Sequence, residues 1–264
     1  AHLTRDVVRQ AVIPLSAGRG CSLASVMMNG AYVRPQRMVS HNWDNLFRDL
    51  VAAIVADALD EPEFAASAHL LTHCVDQLIE WLRHKGRLQR TYWICALSIS
   101  QHSSICGANP RGELDPVLRQ PHPICPCRTP KFLNSDPPHD LDGRSIPCEL
   151  NKFADVMGFL AATDPGFQQV IAVDARCEVF TRAWVVAEIA EAHAMGMPQA
   201  LKLRSADVLA TAEASMRDLD VSRMQASRPE DVQEILRRIP DVDAFNAHLQ
   251  ELIFGKGGRG GLLN

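Results

Sequence analysis

Apolar residues recur along this chain in two rhythms, short unbroken runs and longer stretches with helical spacing, and their alternation is the first guide to the fold. Arg37-Met-Val-Ser-His41 is a short apolar run, read as a strand. After a polar turn, Leu46, Phe47, Leu50, Val51, Ile54, Val55 and Leu59 repeat at the spacing of an amphipathic helix. Pro62 interrupts, and Phe64, Ala68, Leu71, Val75, Leu78, Ile79 and Leu82 trace a second apolar helical face up to a stop at Gly86. The aromatic and β-branched run over 91–99 predicts a strand buried on both faces. Further on, a helix is expected over 149–162, an apolar strand over 169–173, a helix over 182–195 and a short strand over 200–203. Ser227 and Glu230 have the spacing of a capping box for a helix over 230–239, and 243–254 predicts a last helix. The glycine-rich stretch over 255–264 is expected to be a flexible tail.

Strands alternating with helices argue for an α/β domain: a parallel sheet with helices on both faces and ligand sites beyond the carboxyl ends of its strands. The domain is placed at 36–254, after a lead-in over 1–35 whose signals conflict. Between Gly107 and Cys148 nine of the sixteen prolines gather, so this Pro/Cys-rich stretch is expected to be irregular and is read as an insertion. Just past the apolar runs lie Ser40, His41, Asn42 and Trp43, then Ser100, Gln101 and His102, then 174–181. None of these positions carries a Walker lysine motif or G-x-G-x-x-G, which argues against an ordinary P-loop or dinucleotide fingerprint.

The 264 residues are 47% hydrophobic and 22% charged, which sets aside disordered and collagenous classes. A formal charge of −4 with no long basic block makes nucleic acid a poor partner. No apolar run is long enough for a membrane span, and Arg5, Asp6 and Arg9 stand where a secretory signal would be apolar. The chain is therefore read as intracellular and cytoplasmic, with its eight cysteines reduced.

The irregular stretch carries the strongest chemical signal. His102-x3-Cys106, His122-x2-Cys125-x-Cys127 and Cys148 place six soft or borderline metal ligands within 47 residues. A proline-rich segment that cannot bury a core has a physical use for a structural zinc ion, bound by four thiolate or imidazole ligands. Cys125 and Cys127 rank first, then Cys106, then His102 or Cys148, with His122 last because Pro121 and Pro123 restrict it. The plainer reading is free cysteines in a mobile loop. His69 and His73, near Cys74, lack a third ligand and read as an ordinary helix face.

Trp184 and Glu188, four residues apart, share a helical face just after a strand. A carboxyl group there can be desolvated and oppose a developing cation, although most glutamates on such helices are simply solvated. The turn Ser40-His41-Asn42-Trp43 offers groups that could hold a ribose or a base; more commonly, Asn42 or Asp44 caps the next helix and Trp43 packs beneath it.

Met38-Val-Ser-His41 and Thr181-Arg-Ala-Trp184-Val-Val-Ala-Glu188 resemble the Toll/interleukin-1 receptor (TIR) superfamily, and Trp93-Ile-Cys-Ala-Leu-Ser-Ile-Ser-Gln101 resembles the tryptophan-to-Gln strand of the related fungal heterokaryon-incompatibility domains, the whole resemblance covering about 36–225. The second segment is similar to the family's S-x-W-C-x-x-E helix start, with Val185 in place of the cysteine; His41 replaces a common aromatic residue. The resemblance implies a flavodoxin-like fold and nominates Glu188 as the carboxylate that cleaves the nicotinamide bond of NAD. Trp184 would lie beside it, and Ser40 to Trp43 would line the nucleotide pocket. It thus implies an NAD glycohydrolase or NAD sensor. The alternatives are a non-catalytic signalling or assembly module that self-associates, or a structural subunit of a larger complex. An enzyme predicts an open cleft from Glu188 to Ser40 and Trp43; a scaffold predicts that carboxyl group paired or buried.

Overall fold

The computed structural model describes residues 1–110 and 112–255. The expected tail thus lies outside the described residues beyond Gly255. The elements, in chain order, begin with α1 (Thr4–Val7), a π-helical turn (Val8–Val12), α2 (Ile13–Ser16) and α3 (Leu23–Met27). Strand β1 (Arg37–His41) leads to α4 (Phe47–Ala58), α5 (Ala65–His73) and α6 (Val75–His84). Strand β2 (Tyr92–Ile94) runs straight into α7 (Cys95–Ser98). After the Pro/Cys-rich segment come α8 (Lys152–Thr163), β3 (Gln168–Ala172), α9 (Ala183–Ala194), β4 (Gln199–Lys202), α10 (Ala206–Arg217), α11 (Pro229–Arg238) and α12 (Val242–Phe254).

The four strands form one parallel sheet in the order β2-β1-β3-β4, compatible with a flavodoxin-like arrangement. Side-chain alternation along each strand divides the core. Met38, Ile171 and Leu201 pack with Met157 of α8, Ile189 of α9 and Ile235 of α11, whereas Val39, Val170 and Ala172 pack with Leu50 and Ala53 of α4, Phe64 just before α5 and Ala68 of α5. The sheet is therefore covered on both faces, which is why its strands read as unbroken apolar runs.

Several elements depart from expectation for identifiable reasons. The run over 91–99 is a strand for only three residues, because the Ser98 hydroxyl accepts the Ile94 N–H and the chain coils into α7. The single helix expected over 64–82 is broken at Cys74, whose φ of −146° is extended. Ser227 does not cap α11: Arg228 is its N-cap without a side-chain bond, and Pro229, preset for the first helical turn, starts it. Neither Asn42 nor Asp44 caps α4, whose N-cap is Leu46.

The lead-in has structure of its own. From Thr4 to Ser16 the backbone is helical, and Val8, Val12 and Ile13 form a small core with Leu23, Ala96 and Cys106. The segment over 107–148 contains no helix and no strand among the described residues.

Candidate functional site

Two neighbouring features stand out at the carboxyl ends of the strands: a cysteine–histidine cluster and a cavity beside it. His102, Cys106, Cys125 and Cys127 bring one ligand atom each to within 4.8 Å of all the others. The Cys106 and Cys127 sulfurs are 3.4 Å apart, and Cys125 Sγ is 3.7 Å from His102 Nδ1. Thiolates around a tetrahedral zinc at about 2.3 Å would be about 3.8 Å apart, so three sulfurs and one imidazole nitrogen fit such an ion closely.

The surroundings orient these ligands. His102 Nε2 meets Ser16 Oγ at 2.9 Å, which leaves Nδ1 facing the sulfurs, while the Ser16 hydroxyl also bonds to the Val12 carbonyl. Hydrogen bonds from Thr129, first its backbone N–H, hold the Cys127 thiol down to about 5. Burial pushes the Cys106 thiol up to about 11. Lys131 Nζ lies 3.7 Å from Cys127 Sγ, and the Cys125 N–H donates to the Cys106 carbonyl.

The lead-in helix clamps this segment along its length. Arg9 Nη1 donates to the carbonyls of Ile105 and Ala108, on either side of Cys106, at 2.7 and 2.8 Å. Gln10 Nε2 donates to Asp115 at 2.6 Å. Asp6 meets His122 Nε2 at 3.1 Å, both side chains being buried. That is where His122 goes, away from the cluster. Cys148 is also absent from the cluster: it is buried at the start of the turn Glu149–Asn151, where its sulfur accepts backbone N–H groups of Leu150 and Asn151. Of the two alternatives the sequence left for the fourth ligand, His102 or Cys148, the cluster contains His102. His69 and His73 sit together on α5, but the only metal-type cluster among the described residues is the one above.

Glu188 lies under the carboxyl end of β1 and is 6% exposed. The Ser40 hydroxyl donates to it and accepts from Gln169 Nε2 at 2.7 Å. Its Oε2 is buried without a hydrogen-bond partner. Burial pushes its pKa from 4.5 up to about 8, so it is mostly protonated at neutral pH. From Ser40 a polar ladder continues through Gln169 to Gln199 and His248, whose ring stacks on His193.

The other expected pocket residues separate into inner and outer groups. His41 is buried beside Cys95 and pushed down to about 4 by burial, hence neutral. Asn42 accepts the Asp44 N–H in a local turn. Trp184 packs edge-on against Phe153 and bonds to Asp231 rather than meeting Glu188. Trp43 alone of the set lines the cavity, with its indole N–H donated to Cys95.

That cavity, of about 580 Å³, is walled by the lead-in helix, the turn after β1, the loop around Cys106 and the starts of α9 and α11. Ser104, Ile105 and Gly107, next to the cluster, form one wall, so the metal-type cluster and the cavity share a loop. After β3, Asp174 secures its own loop by accepting the N–H groups of Arg176, Glu178 and Val179. The expected open cleft joining Glu188, Ser40 and Trp43 is replaced by a cavity that includes Trp43 and leaves Ser40 and Glu188 behind it.

Arg9 and Ser16 escaped sequence reasoning, since they act across 96 and 86 residues with no local spacing to mark them. Among the described residues no helix is long and apolar enough to cross a membrane. No family model, no curated protein and no solved structure matches the chain.

Proposed function

We propose that this chain is a TIR-like, flavodoxin-type α/β module that senses NAD-type nucleotides without cleaving them, its Pro/Cys-rich loop stapled by a structural zinc ion. One observation carries the functional reading: the cavity at the strand ends contains Trp43 but excludes Glu188. An aromatic side chain on a cavity of this size suits a nucleotide, since small-molecule sites span about 300–1,000 Å³. A mostly protonated, enclosed carboxyl group is poorly placed to oppose a developing cation: it is largely uncharged at neutral pH and does not line the cavity.

His102, Cys106, Cys125 and Cys127 would hold the zinc ion, which when bound supplies a closed four-ligand crosslink and no open position for chemistry. The role of these residues is to fix the loop around Cys106, one wall of the cavity.

The test is incubation of the purified chain with NAD, measuring binding by calorimetry and free nicotinamide by chromatography. Saturable binding without nicotinamide release is expected. Release that disappears in Glu188→Ala would replace sensing with hydrolysis, and failure to bind would remove the nucleotide reading.

A further inference from the structure

The chain as a whole has a net charge of −4, yet cations converge on one recess. Arg5 and Arg9 from the lead-in helix, Lys131 from the Pro/Cys-rich segment, Arg182 before α9 and Arg228 before α11 all line the cavity that holds Trp43. They come from four separate stretches of chain, so the grouping is a product of folding and not a basic run. Two carboxylates share the cavity. Asp44 lies 2.6 Å from Arg5 and 3.8 Å from Arg182, and Glu113 lies 3.8 Å from Arg5.

Five cations line the recess against two carboxylates; Glu230, 3.8 Å from Arg228, and the Cys127 sulfur, 3.7 Å from Lys131, offset part of the excess and leave a smaller positive balance. Low-dielectric walls concentrate such a field and attract anions. The cations are also braced: Arg9 is held by the Ile105 and Ala108 carbonyls, and Lys131 Nζ donates to the Thr129 carbonyl at 2.6 Å. Arg182 and Arg228 keep about a third of their side chains exposed, with ion-pair contacts no closer than 3.8 Å. Their planar donor forks suit phosphate oxygens. Two such weakly tied forks, one for each phosphoryl group, match a diphosphate better than a single phosphate or a carboxylate.

We infer that this cavity recognises the diphosphate group of its ligand, with Arg182 and Arg228 as its main contacts. For the base-bearing part of the ligand the inference rests on the nucleotide reading above, but the phosphate subsite stands on its own residues. The direct probe is inorganic pyrophosphate, titrated calorimetrically into the metal-loaded full chain. Saturable binding is expected, weakened about tenfold in Arg228→Ala and again in Arg182→Ala, as for loss of a charge-assisted hydrogen bond. Arg228 lies 3.8 Å from Glu230 and also faces buried Asp231, so a thermal unfolding scan accompanies each variant and affinities are compared only for chains that unfold cooperatively. Absence of saturable pyrophosphate binding, or affinity unchanged in both variants, overturns the inference. NAD binding that persists at full strength in both variants also overturns it while leaving the nucleotide reading in place. Pyrophosphate binding without NAD binding supports the subsite and removes that reading.

Discussion

Glu188 is placed where ionisation has little to offer. One carboxyl oxygen is satisfied by Ser40, the other has no partner among the described residues, and burial holds the proton on until about pH 8. Because that value lies above 4.5, the folded state binds this proton more tightly than the unfolded chain does. The resulting contribution to stability is complete below about pH 4.5 and is lost as pH rises through 8. His41, held down to about 4 by burial, acts in the opposite sense: its contribution is present above 6.5 and lost as pH falls toward 4. Glu188→Gln keeps the size of the side chain and an acceptor for Ser40 but cannot ionise. Thermal unfolding of this variant is expected to lose less Tm than the native chain between pH 5 and pH 8; equal slopes would contradict the assignment. Its spacing with Trp184 marked Glu188 as a residue of interest but left open whether it is enclosed or solvated. The enclosure was not legible, because that depends on Ser40 and Gln169 arriving from two other strands.

Among elements, the lead-in helix and the irregular segment explain each other. A stretch with nine prolines pairs its backbone only in local turns, such as Asp115 N–H to the Gln120 carbonyl and Ile146 N–H to the Pro138 carbonyl, so it draws on the lead-in as well: Arg9 bonds the Ile105 and Ala108 carbonyls, Gln10 bonds Asp115, and Asp6 bonds His122. The Asp6→Ala change strips His122 Nε2 and the Leu3 N–H of their shared acceptor. It is expected to destabilise the chain by about 1–3 kcal/mol in urea unfolding; a loss below about 0.5 kcal/mol would show that the clamp is dispensable. The cysteine cluster makes a second demand. Chelation is expected to lower Tm by several degrees, and Cys125→Ser to abolish retained zinc, whereas Cys148→Ser should retain it. Elemental analysis with unfolding scans decides this, and a chelator-insensitive Tm would remove the staple. The residue types of the cluster were legible because soft ligands are rare enough to stand out. The ranking from sequence already put Cys125, Cys127 and Cys106 ahead and His122 last; what it left open was His102 or Cys148, since only distant chain segments decide where Cys148 goes.

At the scale of the whole molecule, the alternation of strands and helices was sufficient to read a parallel sheet covered on both faces, and the observed order β2-β1-β3-β4 agrees with that reading. What periodicity could not convey is the cavity, because its walls come from segments without period. The lead-in helix and the loop around Cys106 enclose the carboxyl end of β1, placing Trp43 on the cavity and Glu188 behind it. On the proposed reading, nucleotide binding and metal retention would be coupled through Ser104, Ile105 and Gly107, which line the cavity next to the cluster. Removal of the metal is expected to weaken nucleotide binding at least tenfold in parallel calorimetric titrations, and equal affinity with and without metal would break that coupling.

The most direct measurement is a single titration of NAD into the metal-loaded full chain, with nicotinamide quantified in the same sample. The account predicts a saturating isotherm and no nicotinamide above the rate of spontaneous hydrolysis. A flat isotherm, or nicotinamide released in proportion to enzyme concentration, would contradict it.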